Sequence, residues 1–366
     1  MEHTKTFNIL GLMSGTSLDG LDLCYCHIWK KQDQWTFEIL QSESRTYPKG
    51  MRSRLKHAIE LPSEELLQFH NSYGTWLGRQ SKDFLQKHKL QVDAIASHGH
   101  TVHHRPEQGL TFQLGSGQHL ANTSGNRVVC DFRTNDVALG GQGAPLVPIG
   151  DRLFFSEYDQ CLNLGGISNI SFEMEGRRVA YDIGLANMAL NHLTRKIDLE
   201  YDENGNLAAS GRVNAPLLEK LNALAYYQLP FPKSTGYEWF TDEVVPLLDT
   251  TPDRMENLLH TTVHHICDQI ALQLEKYRTK DLQRMLVTGG GALNGFLIST
   301  LREKLGARTE VVVPSKTLID YKEALIFALM GALRLAGETN VLRSVTGAER
   351  DSCSGVVHFP ELGNFN

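Results

Sequence analysis

The sequence predicts an α/β protein of two lobes with a cleft between them. Three observations carry this expectation. At 366 residues the chain is long for one compact core and suits two. A strand–turn–strand opening at residues 7–26, "FNILGLMSGTSLDGLDLCYC", returns at Cys161 as "CLNLGGISNISFEM". After each opening, strands and helices mix rather than segregate. The pattern is a distant duplication, not a short-period repeat array. No low-complexity linker divides the halves. The first lobe is expected over residues 1–145 and the second over 146–339, with residues 340–366 returning to the first.

Composition narrows the class. Hydrophobic residues make up 41% and charged residues 21%, ordinary values for a globular protein. Net charge is -6, and no basic stripe marks a nucleic-acid face. No stretch approaches the ~20 apolar residues of a membrane helix. The N-terminal "MEHTKTFNILGLM" enters a strand without a signal-peptide pattern, so a cytoplasmic protein is expected. The six cysteines are scattered and read as reduced, mostly buried thiols; only Cys24 and Cys26 are close, two apart on one strand face.

The elements follow in order. Residues 7–13 and 21–29 read as strands. Residues 63–89 read as a long helix, opened by Pro62-Ser63-Glu64-Glu65 and striped by Leu66, Phe69, Tyr73, Trp76 and Leu77. Strands are expected at 92–96, 128–132, 179–183 and 285–288. Helices are expected at 215–229, 253–277, 293–305 and 321–336.

The chemistry concentrates in the turns. The first turn holds Ser14, Gly15, Thr16, Ser17, Asp19 and Gly20. Successive amides and hydroxyls there can cradle phosphate oxygens. A Walker loop or a Rossmann turn would open a helix, whereas a strand follows here. What survives is a phosphate-binding hairpin with Asp19 and Asp22 placed for Mg²⁺, or a plain hairpin of the same composition. "NLGGISN" repeats the device with Gly165, Gly166, Ser168 and Asn169. "VTGGGALN" puts Gly289, Gly290 and Gly291 between a strand and a helix, which suits adenosine or merely tight packing. "SHGHTVHHRP" gathers His98, His100, His103 and His104 at a strand end, and substrate hydrogen bonding is a better reading than a metal pair. In "DFRTND" the planar fork of Arg133 suits a carboxylate. Asp182, in "YDIGLANMALNHL", is either an N-cap-like residue or a sugar kinase's base. Glu323 reads as a first-turn residue of "YKEALIFALMGAL".

Together these stretches resemble the anhydro-N-acetylmuramic acid kinases of the actin-like ATPase superfamily. The resemblance rests on "GLMSGTSLDGLDL", "SHGHTVHHRP", "DFRTNDVALGGQGAPLVP", "NLGGISNI", "KSTGYEWF" and "TGGGALN", in family order, with "KEALIFALMGAL" extending it. It implies a duplicated ribonuclease H-like, actin-like fold with ATP in the interlobe cleft. It implies hydrolytic opening of 1,6-anhydro-N-acetylmuramic acid and phosphorylation of O6, a step of peptidoglycan recycling. By motif, Gly15, Thr16, Ser17, Leu18, Asp19, Gly20, Leu21 and Asp22 would bind ATP phosphates and Mg²⁺. Asp182 would be the base that activates water. Thr101, Arg133 and Glu323 would contact the sugar, and the chemistry of Arg133 suits its lactyl carboxylate. A homodimer is the family's suggestion.

The chain departs from the family's usual pattern in three places. "DTGPGN" is Asp182-Ile183-Gly184-Leu185-Ala186-Asn187 here; "SHGQT" carries His100; "STGRE" carries Tyr237. These positions are expected to face the cleft. A kinase of a different sugar and a non-catalytic ATP-binding module are the alternatives.

Overall fold

Strand β1 (Lys5–Met13) pairs antiparallel with β2 (Leu21–Lys31), and β2 pairs antiparallel with β3 (Gln34–Arg45). On its other side β1 runs parallel to β4 (Ala94–Ser97). A small hairpin, β5 (His100–Arg105) with β6 (Leu110–Leu114), follows β4, and β7 (Val128–Cys130) then lies parallel to β4. A C-terminal strand, Val356–His358, closes the sheet edge against β7. The computed structural model that shows this describes residues 5–15, 18–278 and 280–361.

The same order returns in the second sheet. There β8 (Gln160–Leu164), β9 (Ile167–Met174) and β10 (Arg177–Leu185) form an antiparallel meander. Strands β11 (Gln283–Thr288) and β12 (Thr309–Val312) extend it in parallel beyond β8. Thus β3-β2-β1-β4-β7 corresponds to β10-β9-β8-β11-β12, strand for strand and direction for direction. This is the duplicated α/β order of the actin-like ATPase fold that the family resemblance implies. Strand β3 lies outside the expected strands: it is an edge strand with much polar, exposed surface, so hydrophobicity alone does not mark it.

The chain falls into two compact units, 1–154 with 321–366, and 155–320. The expected boundaries at 145 and 339 move for a packing reason. The ring of Phe154 meets Phe37 of β3 at 4.6 Å, which holds the helix Pro148–Phe154 to the first sheet. The late helix, Lys316–Ala336, returns to that sheet as well. A Cβ on Gly11 would lie 2.0 Å from the Ala324 carbonyl oxygen, and one on Gly331 would lie 2.7 Å from Ala96 Cβ. The helix therefore sits almost on the backbone of β1 and β4. It also begins earlier than expected, because the Ser315 hydroxyl accepts from the Leu318 amide and caps it.

In the first unit the helix Ser63–His88 presents Phe69, Tyr73, Leu77 and Phe84 to Leu10, Leu12, Leu23 and Ile95 of the sheet. Each such fully buried side chain contributes roughly 1.5–3 kcal/mol. In the second unit the helix Met255–Lys276 buries Val263, Ile266 and Ile270 beside Leu162, Ile183 and Val287. Among the described residues, no helix is long and apolar enough to cross a membrane. Cys24 and Cys26 share a face, with sulfurs 3.4 Å apart.

Candidate active site

In the first unit, Met13 and Asp22 are the last register pair of β1 and β2, and Ser14, Gly15 and Leu18 to Gly20 lie in the connection between the two strands. Thr16 and Ser17 lie outside the described residues. The Leu18 amide donates to the Gly15 carbonyl at 3.3 Å, closing the turn. Gly15, Leu18 and Gly20 are half-buried, Leu21 is buried in the core and Asp19 is exposed. The turn is braced from below. The Ser14 hydroxyl lies 2.6 Å from Tyr47 OH and 2.7 Å from Tyr73 OH. The His100 ring lies beside the backbone of Ser14 and Gly15, which favours its charged form against the opposing effect of burial. Among the described residues His100 Nδ1 is buried with no hydrogen-bond partner.

Asp22 is half-buried, and its Oδ1 lies 2.5 Å from the Ser44 hydroxyl. Ser44 Oγ also lies 3.1 Å from Tyr321 OH. Ser44 has one hydrogen to give, and Asp22 is the nearer and the charged acceptor. Glu323 is solvent-accessible but crowded by protein. Its carboxyl is pushed above the usual range, first by that desolvation and then by the negative charge of Asp22, with Arg133 and Lys322 opposing. Beside it Lys322 forms a buried ion pair with Asp151 at 2.8 Å. Glu323 lies well inside the helix that begins at Lys316, so a first-turn dipole does not explain it.

The histidines separate. Gly99 adopts φ 73 between β4 and β5, so the strand does not persist and His98 and His100 take different partners. His98 Nε2 accepts from Arg133 Nε at 3.0 Å and lies 2.9 Å from Nη2. Arg133 Nη1 donates to the Gly143 carbonyl at 2.5 Å. Burial lowers the guanidinium to about 10, opposed by the charges of Glu323 and Asp136. Thr101 is half-buried on β5, its hydroxyl 3.5 Å from Gln113 Nε2.

In the second unit, Gly165 and Gly166 form the turn from β8 to β9. Their carbonyls accept from the Asn187 and Met188 amides at 3.1 and 2.9 Å, which ties the turn to the start of the helix Asn187–Arg195. Ser168 is buried, and its hydroxyl donates to the Gly184 carbonyl at 3.1 Å. Asn169 pairs with Asp182 in the β9–β10 register. Gly289 and Gly291 pack against Leu164, while Gly290 is exposed. The glycine turns after β8 and β11 therefore lie side by side, because those strands are parallel neighbours.

Asp182 lies on β10 where the register shifts before Gly184. It is not a cap: the residue preceding the next helix is Ala186. Its Oδ2 accepts from the Ser234 hydroxyl and the Thr235 amide, each at 3.0 Å. Its backbone carbonyl accepts from Tyr226 OH at 2.8 Å. Among the described residues Oδ1 has no hydrogen-bond partner. Burial raises the carboxyl above its usual range, while Thr235, Ser234 and Lys233 pull it back. A half-buried carboxylate with one oxygen fastened and one free, of raised basicity, is suited to take a proton from water.

The altered residues after Asp182 do not face a ligand. Ile183, Leu185 and Ala186 are 0%, 2% and 0% exposed and belong to the hydrophobic core. The expectation that they line the site is corrected: alternation along β10 puts Ile183 and Leu185 on the same buried face as Tyr181, and Ala186 is packed into the core at the strand's end. Tyr237, by contrast, is exposed. Sequence reasoning singled out neither the hold of His98 on Arg133 nor those of Ser234 and Thr235 on Asp182 and of Ser44 on Asp22. The polar run "KSTG" after Pro232 is the one local signal among these. Among the described residues no group of three or more His, Cys, Asp or Glu is assembled as a metal site.

Comparison with known proteins is consistent across the chain. Residues 7–360 match the family described as anhydro-N-acetylmuramic acid kinase. The chain is 35% identical to the Haemophilus influenzae anhydro-N-acetylmuramic acid kinase, covering 99% of this chain and 100% of that protein. It is 34% identical to the Gloeobacter violaceus enzyme of the same name, covering 95% and 98%. Among solved structures it is similar to the activator of 2-hydroxyisocaproyl-CoA dehydratase from Clostridium difficile with bound ADPNP. There identity is 12% and TM-score 0.42, over 90% of this chain and 97% of that one. On the matched length and identity, the chain belongs to the anhydro-N-acetylmuramic acid kinase family.

Proposed function

We propose that the chain uses ATP and water to convert 1,6-anhydro-N-acetylmuramic acid to N-acetylmuramic acid 6-phosphate, within peptidoglycan recycling. The observation that carries this reading is the half-anchored Asp182 carboxylate. Its free Oδ1 takes a proton as a water oxygen attacks C1. The C1–O6 bond breaks, its electrons stay on O6, and O6 accepts the γ-phosphoryl group while ADP leaves. The base work is of a kind worth about 10²–10⁴-fold. Arg133 and Thr101 are assigned to the sugar, with Glu323 near them.

The residues present fit Mg²⁺-ATP. Asp22 and Glu323 raise each other's energy as like charges, and Asp19 is exposed close by in sequence. A divalent cation held by Asp19 and Asp22 would relieve that repulsion. Bound there, Mg²⁺ would neutralise phosphate charge as it does in other phosphoryl transfers. Residues 15–22, Gly165, Gly166, Ser168, Asn169 and Gly289 to Gly291 are assigned to the nucleotide, and their glycines offer backbone without side chains. A cytoplasmic location and a homodimeric state belong to the same proposal.

The test is the destination of water. In ¹⁸O-labelled water with ATP and the anhydro sugar, early product should carry label on the C1 hydroxyl and none in the transferred phosphate. Label in inorganic phosphate, with the anhydro sugar intact, would mean an ATPase and would end this reading. Phosphorylation of other sugars in preference would retain the kinase and replace its substrate.

A further inference from the structure

Arg133 has five N–H donors, and the structure accounts for three of them. Nε–H and one Nη2–H converge on a single atom, Nε2 of His98, at 3.0 and 2.9 Å. One Nη1–H goes to the Gly143 carbonyl at 2.5 Å. Among the described residues, one N–H on each terminal nitrogen is left without an acceptor.

The acceptor is a fixed one. His98 Nδ1 lies 2.9 Å from the Gly99 carbonyl oxygen, which can only accept. Nδ1 therefore carries the ring hydrogen, and Nε2 is left with its lone pair toward Arg133. The ring is 6% exposed and packs on Phe327 at a centroid distance of 4.6 Å. Burial and the adjacent guanidinium both disfavour a second proton on the ring. The other brace is fixed as well: the Gly143 amide donates at 2.8 Å to Asp136, a fully buried carboxylate that also accepts from Thr346.

Both braces are neutral acceptors. Among the described residues no carboxylate lies within ion-pair distance of Arg133; the charges of Glu323 and Asp136 favour the charged guanidinium from farther away. A structural arginine withdrawn from water is ordinarily paired directly with a carboxylate, and half-buried Arg133 is not. An arginine aimed by neutral groups keeps its charge for a ligand.

We propose that His98 is a positioning residue that aims the free edge of Arg133 at a carboxylate of the substrate. This rests on the reading of Arg133 as a sugar contact. His98 itself touches neither sugar nor nucleotide in this role.

The test uses the full chain, with 1,6-anhydro-N-acetylmuramic acid and the analogue lacking the lactyl group. His98→Phe keeps a ring on Phe327 and removes the acceptor. It should raise KM for the lactyl sugar at least ~10-fold, move KM for the analogue far less and change kcat little, the pattern of a lost orienting contact. His98→Gln, which restores an acceptor oxygen, should recover part of the loss. If Arg133→Ala erases discrimination between the two sugars and His98→Phe leaves it intact, the positioning role is wrong and the Arg133 reading stands. If Arg133→Ala leaves discrimination intact, the Arg133 reading falls and takes this one with it. A measurement on the unaltered protein stands apart from variant folding. In ¹⁵N spectra of histidine-labelled protein, His98 should stay the neutral Nδ1–H tautomer from pH 5 to pH 9. An Nε2–H tautomer, or protonation near the ordinary histidine range, would overturn the proposal.

Discussion

Asp182 Oδ2 and Ser234 Oγ lie 3.0 Å apart, and the Thr235 amide meets the same carboxylate oxygen at the same distance. Two donors on one oxygen fix the plane of the carboxylate and leave the other oxygen to act. A loop more than fifty positions along the chain thus orients a strand residue, and the consequences can be measured.

Asp182→Asn keeps the shape and both bonds to Oδ2 but removes the base. Turnover should fall at least ~100-fold while ATP and sugar still bind. Stability should move the other way. A carboxyl whose folded-state affinity for a proton is raised contributes stability below its unfolded range and loses it as pH rises through the folded value. At pH 7 the ionised Asp182 is therefore a cost. The Asn variant should melt at an equal or higher temperature there, and the gap should close in acid. Near-normal turnover in a folded Asp182→Asn protein would remove this role.

Ser234→Ala deletes a bond that favours the ionised form. The acid limb of the kcat/KM profile, already above the ordinary carboxylate range, should move to still higher pH. The Thr235 amide remains, so activity at pH 8 should fall less than in Asp182→Asn. An acid limb that does not move would mean that the limb reports another group.

Asp19→Asn and Asp22→Asn should each weaken Mg²⁺-ATP more than sugar, because hard anionic oxygen is what the ion takes. Calorimetric titration of both ligands reads this directly. Unchanged affinity and unchanged Mg²⁺ dependence in both variants would exclude these residues from the metal site.

Gly184→Ala should destabilise the second unit. The added Cβ would lie 2.5 Å from the Tyr227 ring, at a backbone φ of 154 that side chains disfavour. Tyr227 has nowhere easy to go, since its hydroxyl lies 2.8 Å from buried His265. Overpacking of this kind costs about 1–3 kcal/mol. A melting temperature lowered by several degrees is expected, with turnover reduced through the neighbouring Asp182. A variant as stable and active as the parent would show that the ring yields freely.

Much of the architecture is written locally. The Gly- and Ser-rich turns between alternating strands, Pro62-Ser63-Glu64-Glu65 ahead of an apolar stripe, and the return of the opening pattern at Cys161 are all short-range signals. Backbone propensity and side-chain periodicity act over a few residues, so the elements and their repetition follow from them, while the actin-like strand order was implied by the family resemblance. The family motifs carried the identities of Asp182, Arg133 and Asp22 for the same reason: they are short and contiguous.

Tertiary structure decided which side chains those residues answer to. His98 meets Arg133, Ser234 meets Asp182, and Ser44 with Tyr321 meets Asp22, across separations no local pattern encodes. It also decided that the side chains of Ile183, Leu185 and Ala186 belong to the core, because helices distant in sequence pack over the face of β10 that alternation gives to Ile183 and Leu185. The unit boundaries belong here as well: the close approach of Gly11 to Ala324, a contact invisible along the chain, returns the late helix to the first sheet. Hydrogen bonds and packing depend on distance in space, and that distance exists only once the chain has folded.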